Sequence, residues 1–247
     1  MQGSLFQHVG GQSAERFRLE NAQVLAVRLG ADAPPEVLAR KGAMVAFHGG
    51  VDFDATFVTG YERQTYGATG EQLNLMRCYG NGTVYLAHRA QYLCVVDVDH
   101  DGLIVDGEYV LAFDPHLAWN VVAIDSQQAI AAAGMYNLDM RGQGKIALMT
   151  SGKPLVLKVD ARNEAFVDAD AVVAWTAGLS TRMEAQTVSS RVWRRRGGTG
   201  EGWNMCFIGE GYVVVQPREP ADPDEYAARG LPYGMGSSGY RGNQWGS

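Results

Sequence analysis

The chain has 247 residues, 46% of them hydrophobic and 19% charged, with a formal net charge of -6. That is enough apolar side chain to bury a core, and it excludes the charge-rich, apolar-poor composition of intrinsic disorder. The acidic balance offers no long-range attraction to nucleic-acid phosphates or anionic lipid, and the odd, widely separated Cys78, Cys94 and Cys206 fit neither a disulfide framework nor a paired metal site.

Along the chain, the start from Met1 to His8 lacks the cationic region and apolar core of a secretory signal. No apolar run reaches the roughly 18 residues needed to cross a bilayer, so a cytoplasmic protein with no membrane span is expected. Ala39–Phe47 ends in Met44-Val45-Ala46-Phe47, a strand-like run. Gly80-Asn81-Gly82 follows as turn glycines, then the strand-like Tyr92–Val96, the acidic run Asp97-Val98-Asp99-His100-Asp101-Gly102, and Val105–Phe113. Ser126–Ala133 is the best local helix candidate, although its alanines also suit a strand. Gly142-Gln143-Gly144 and Val172-Val173-Ala174-Trp175 come next, followed by Arg194-Arg195-Arg196, Gly200-Glu201-Gly202 and Tyr212–Val215. Beyond Gln216 the composition turns to proline and then glycine, which predicts a disordered tail.

Self-similarity organises these pieces. Gly80-Asn81-Gly82-Thr83-Val84 matches Gly142-Gln143-Gly144-Lys145-Ile146 at an offset of 62 residues, and the offset persists through Val110 on Val172 and Ala112-Phe113 on Ala174-Trp175. Ala39–Phe47 matches Val105–Phe113 at an offset of 66. The expected fold is therefore all-β: three tandem repeats of a β-sandwich or double-stranded β-helix-like unit with pseudo-threefold symmetry. Their expected limits are 1–78, 79–140 and 141–217, with a flexible Pro/Gly/Tyr tail over 218–247 that offers a docking segment for a protein partner.

The Val-Ala-Phe/Trp strands, the Gly-x-Gly starts and the closing Phe207–Gln216 run together resemble the altered inheritance of mitochondria protein 24 family, over most of residues 1–217. The resemblance implies three tandem β-units similar to the subunit of the tryptophan RNA-binding attenuation protein, with three chains able to close a ring. It carries over no RNA or tryptophan site, because none of those residues matches a position here. Eukaryotic relatives are associated with mitochondrial organisation, whereas a bacterial-type cytoplasmic protein is expected from a start without an Arg- and Ser-rich amphipathic leader.

Candidate chemistry is sparse. Asp97, Asp99, Asp101 and Glu108 satisfy the twelve-residue calcium-loop pattern, but that loop needs flanking helices and here strands flank it. A polar β-turn is the reading, with a non-helical calcium site as the alternative. Arg194, Arg195 and Arg196 beside Trp193 read as a solvated loop, with phosphate or RNA binding as the alternative. His8, His48, His88, His100 and His116 have no ligand spacing, and the strand-spaced pairs Asp52/Asp54 and Asp168/Asp170 read as solvated faces. No catalytic, cofactor-binding or metal-ligating residue is assigned and no cofactor is expected. A non-enzymatic homo-oligomeric scaffold, with a trimer favoured, is the expected role; a small-ligand or calcium module and, more remotely, an RNA-binding ring are the alternatives.

Overall fold

The structure is a computed structural model that describes residues 14–30, 32–55, 74–123, 136–185 and 203–217. The helix candidate at 126–133 and the tail over 218–247 lie outside the described residues. As expected, the fold is all-β. The first strands are β1 (Phe17–Asn21), β2 (Val24–Leu29), β3 (Glu36–Arg40), β4 (Met44–Asp54) and β5 (Leu75–Leu86). Then come β6 (Tyr92–Val98), β7 (Leu103–Asp106), β8 (Val110–Phe113), β9 (Ala118–Ala123), β10 (Tyr136–Arg141) and β11 (Gly144–Thr150). The last are β12 (Leu155–Val159), β13 (Ala165–Asp168), β14 (Val172–Thr176), β15 (Ser180–Ala185), β16 (Trp203–Ile208) and β17 (Gly211–Val215). Runs such as Val-Val-Val in β17 choose the strand because branched side chains pack well on a pleated surface.

Two 3-10 turns interrupt the strands, at Gly107–Tyr109 and Ala169–Ala171. Each begins with an aspartate whose side chain caps it: Asp106 Oδ1 accepts from Glu108 N at 2.8 Å and Asp168 Oδ1 from Asp170 N at 2.9 Å. This corrects the sequence reading of Asp168/Asp170 as alternating residues on one strand face, since Asp168 ends β13 and Asp170 lies in the turn.

Three sheets result, ordered β1-β2-β5-β3-β8-β11-β6 with β4 also on β5, β12-β17-β14-β7-β10-β9, and β13-β16-β15. The ends of the first nearly meet, Leu93 N at β6 donating to Ala22 O beside β1 at 2.7 Å, so it curls like a barrel. One local irregularity recurs. Between β4 and β5, Met44 faces Leu86 and Ala46 faces Tyr85, which leaves Val45 as a bulge. Leu111 is skipped in the same way between β8 and β11, and Val173 between β14 and β17.

Gly80-Asn81-Gly82 does not form the expected turn but runs through the middle of β5. Gly142 and Gly209, by contrast, precede β11 and β17 at corners where the chain passes from one sheet to another. All three glycines share a positive φ, 124° at Gly80, 110° at Gly142 and 122° at Gly209. At Gly80 the kink is absorbed within a strand because β4 passes it with Gly49 and Gly50, and a Cβ on Gly80 would sit 2.2 Å from Gly50 O.

The core is divided into three clusters. The first joins Phe17, Leu25, Val84 and Leu86 from β1 to β5 with Leu111 and Ala112 of β8. The second joins Val105, Phe113, Met140 and Ile146 with Val173 and Ala174 of β14. The third holds Ile104, Val159, Val172, Trp175, Phe207 and Val213, with Trp175 and Phe207 edge to face at 5.6 Å between centroids. Phe113 is fully buried. Phe113→Ala is expected to lower the free energy of unfolding by about 3–5 kcal/mol, read from urea denaturation followed by tryptophan fluorescence.

Candidate functional site

The acidic motif is taken apart by its surroundings. Asp97 is on β6, where its carboxylate meets the Lys145 ammonium of β11. Asp99 Oδ1 accepts from Asp101 N at 3.1 Å in a tight turn closed by Gly102, whose N donates to Asp99 O at 3.1 Å. Glu108 lies beyond β7, in the capped 3-10 turn. The carboxylates do not converge, and among the described residues no group of three His, Cys, Asp or Glu side chains is placed to hold a metal ion.

The other candidates scatter in the same way. Asp54 meets Arg77 of β5 at 3.6 Å. His48 lies against the Tyr85 ring, while His100 and His116 both reach Gln143, at 3.2 and 2.6 Å. Burial, with Arg40 and Arg89 nearby, pushes His88 below its ordinary value. His8 and Arg194, Arg195 and Arg196 lie outside the described residues. A polar cleft of about 350 Å³ is lined by Arg28, Asp32, Asn81 and Thr83.

A different surface stands out. Val110, Leu111, Ala112 and Phe113 are all buried in β8, and Val172 to Trp175 are buried in β14. Their sequence counterparts in β4 are open to solvent: Met44 is 38% exposed, Val45 57% and Phe47 46%. The expectation of a core strand at each copy therefore fails at Met44–Phe47. The physical reason is a missing neighbour, since β8 lies between β3 and β11 and β14 between β7 and β17, whereas among the described residues β4 pairs with β5 alone. Phe166 on β13 is exposed as well, at 53%. Exposed apolar strands with one free edge are sites where another chain can add.

Two polar clamps escaped the sequence reading because they join residues about a hundred positions apart. Arg16 Nε donates to Asp114 Oδ1 at 2.9 Å, and its other nitrogens donate to Arg28 O, Pro34 O and Glu36 O at 3.1, 2.6 and 2.7 Å. Asp114 Oδ2 accepts from Lys145 N at 2.8 Å. The buried Gln216 donates from Nε2 to the Tyr109 hydroxyl at 2.7 Å and accepts at Oε1 from Ser151 N at 3.2 Å. The one available signal was composition: a lone Asp directly after the apolar run Val110–Phe113, and a Gln directly after Val213–Val215.

In comparison with known proteins, the family model described as Mitochondrial biogenesis AIM24 matches residues 17–218. The crystal structure of protein SPYM3_0169 from Streptococcus pyogenes is similar in fold, with a TM-score of 0.63 at 17% identity, covering 86% of this chain and 95% of that one. No curated protein matches.

Burial shapes the alkaline behaviour. It pushes the Cys78 thiol up to about 12 and the Cys94 thiol to about 11. Burial, reinforced by the Asp106 carboxylate, lifts the Tyr109 hydroxyl to about 12 against its bond to Gln216. Each group ionises less readily folded than unfolded, so its contribution is complete below the unfolded value and is lost progressively as pH rises from there through the folded value. Urea unfolding is expected to show stability falling from about pH 8.5 upward, with a shallower fall in Cys78→Ala. A flat profile to pH 11 would contradict this assignment of burial.

Proposed function

Because the chain belongs to the Mitochondrial biogenesis AIM24 family, we propose that it is a non-enzymatic scaffold that assembles from copies of itself and presents its outer surface to a macromolecular partner. The reading rests on tandem construction, with β2 to β5, β6 to β11 and β12 to β17 as three copies of one unit related by pseudo-threefold symmetry. Four ladders support it. In each set the first strand pairs with the last, β2 with β5, β6 with β11 and β12 with β17. The bulged strand also pairs with the last, and the remaining two ladders recur as β3·β5, β7·β10 and β13·β16, and as β4·β5, β9·β10 and β15·β16. The limits at 78/79 and 140/141 cut through β5 and β10, so the unit ends are better placed after β5 and after β11.

The observation that carries the assembly is the exposed strand Met44–Phe47, which among the described residues has no second neighbour, unlike β8 and β14. Val45 is 57% and Phe47 46% exposed, so burying the rest of each stabilises by roughly half the full-burial value, about 0.7–1.5 kcal/mol apiece, a direct incentive to associate. Three chains would bring nine units together, and a cytoplasmic setting suits the acidic surface. A small-ligand role is the second reading, favoured by the polar cleft at Arg28 and Asp32. Static light scattering at micromolar concentration is expected to give a mass of several chains, three being favoured, and Val45→Asp is expected to reduce it to one chain with unchanged circular dichroism. A wild-type chain that stays monomeric overturns the proposal.

A further inference from the structure

Resting on the assembly proposed above, we infer that the second copy docks on the open edge of β13: Met44–His48 of one chain pairs antiparallel with Ala165–Asp168 of another, Ala46 opposite Val167 and Phe47 opposite Phe166.

The register comes from two joints already made inside the chain. β3 meets β8 with Leu38 opposite Phe113 and Ala39 opposite Ala112. β7 meets β14 with Ile104 opposite Trp175 and Val105 opposite Ala174. The two joints use corresponding positions. Leu38 and Ile104 lie opposite Arg77 and Asp139, and each of those is three residues before a kinked glycine, Gly80 or Gly142. Phe166 lies opposite Cys206, three residues before the kinked Gly209. On the other side, Phe113 and Trp175 face Ile146 and Val213, four residues after Gly142 and Gly209, and Phe47 faces Val84, four after Gly80. Two joints are filled within the chain, and the third has both halves present but apart.

Burial gives independent support. At the filled joints the paired side chains are hidden, Leu38 3% exposed against Phe113 0%, and Ile104 8% against Trp175 5%. At the unfilled one, Phe166 is 53% exposed and Phe47 46%. The cores agree. Leu111 and Ala112 enter the first cluster from the following unit and Val173 and Ala174 enter the second, whereas among the described residues the third receives no such pair. Val45 and Ala46 of a second copy are the counterparts that would complete it, and Val45 is exposed. Charge is also complementary: Arg40 of β3 reaches the carbonyls of Gly107 and Glu108 at 2.7 and 2.8 Å, and at the third joint the corresponding groups are Asp168 and the Lys41-Gly42 pair.

The test uses the full chain. Phe47→Cys protein mixed with Phe166→Cys protein and treated with a short bis-maleimide is expected to yield a covalent two-chain product. Each variant alone, and Phe47→Cys mixed with Val156→Cys from the exposed face of β12, is expected to stay at the wild-type background. Cys78 and Cys206 are buried and Cys94 is half-buried, so the wild-type chain treated alike measures the background from native thiols. As a second measurement, Phe47→Lys and Phe166→Glu are each expected to weaken association at least tenfold, and the double variant to recover most of it. Wild-type chains that associate in light scattering but give no Phe47 to Phe166 product, and whose association neither charged variant alters, overturn this joint while leaving self-assembly intact. A monomeric wild type overturns both.

Discussion

A strand bulged by a single residue, seen at β4, β8 and β14, holds this molecule together. The bulge turns Leu111 and Val173 out of their own ladders and into clusters built largely by earlier strands, Leu111 joining Phe17, Leu25 and Val84, and Val173 joining Val105 and Met140. A residue skipped in pairing is free to point where the pleat would not send it. Next to it, Ala112 packs against Ala39 and Ala174 against Val105, small side chains that let two backbones from different sets share one ladder. The β3·β8 and β7·β14 ladders both run through a bulged strand, so the clusters cannot be assembled one at a time as separate bodies.

The kinked glycines follow from the same constraint. β11 must pair with β6 on one edge and with the bulged β8 on the other, and β17 likewise with β12 and β14, each just after turning from the strand before it. Gly142 and Gly209 supply the turn as a corner between two sheets. At Gly80 the two segments merge into the long β5, with β4 merged in parallel beside it through Gly49 and Gly50. A Cβ on Gly82 would lie 2.0 Å from His48 O, so the continuous version of the corner tolerates no side chain there.

Much of this was legible in the sequence. Alternating short apolar runs and turn residues announced an all-β chain, and constant offsets marked the glycine corner and the bulged strand as members of one class. What was hidden has two physical causes. Periodicity reports which residues resemble each other but not which of them acquires a neighbour, so Met44–Phe47 and Val110–Phe113 look alike and end at opposite extremes of exposure. Side-chain pairing across a hundred residues leaves no local trace, so Arg16 with Asp114 and Tyr109 with Gln216 emerged only from the fold. The calcium-like run failed for the converse reason: spacing matched, but the backbone sends Asp97 along a strand and Glu108 past the next one.

The two polar clamps also explain why the internal joints are not interchangeable. At the first, Arg16 and Asp114 are paired in a site where their side chains are 12% and 6% exposed, with Arg40 added across the boundary. At the second, the clamp is the neutral pair of Gln216 and Tyr109. A foreign strand admitted at the first joint in place of β8 would strand the Arg16 charge, and one admitted at the second would orphan the Gln216 amide. Leaving a buried charge unpaired costs on the order of 3–5 kcal/mol and a buried neutral group about 1–3 kcal/mol, which offsets much of what one apolar strand returns. The clamps therefore contribute little to raw stability compared with the apolar clusters, and a great deal to which strand may occupy which slot. The exposed Met44–Phe47 strand is thereby kept from invading joints that belong to β8 and β14, although all three carry nearly the same apolar pattern.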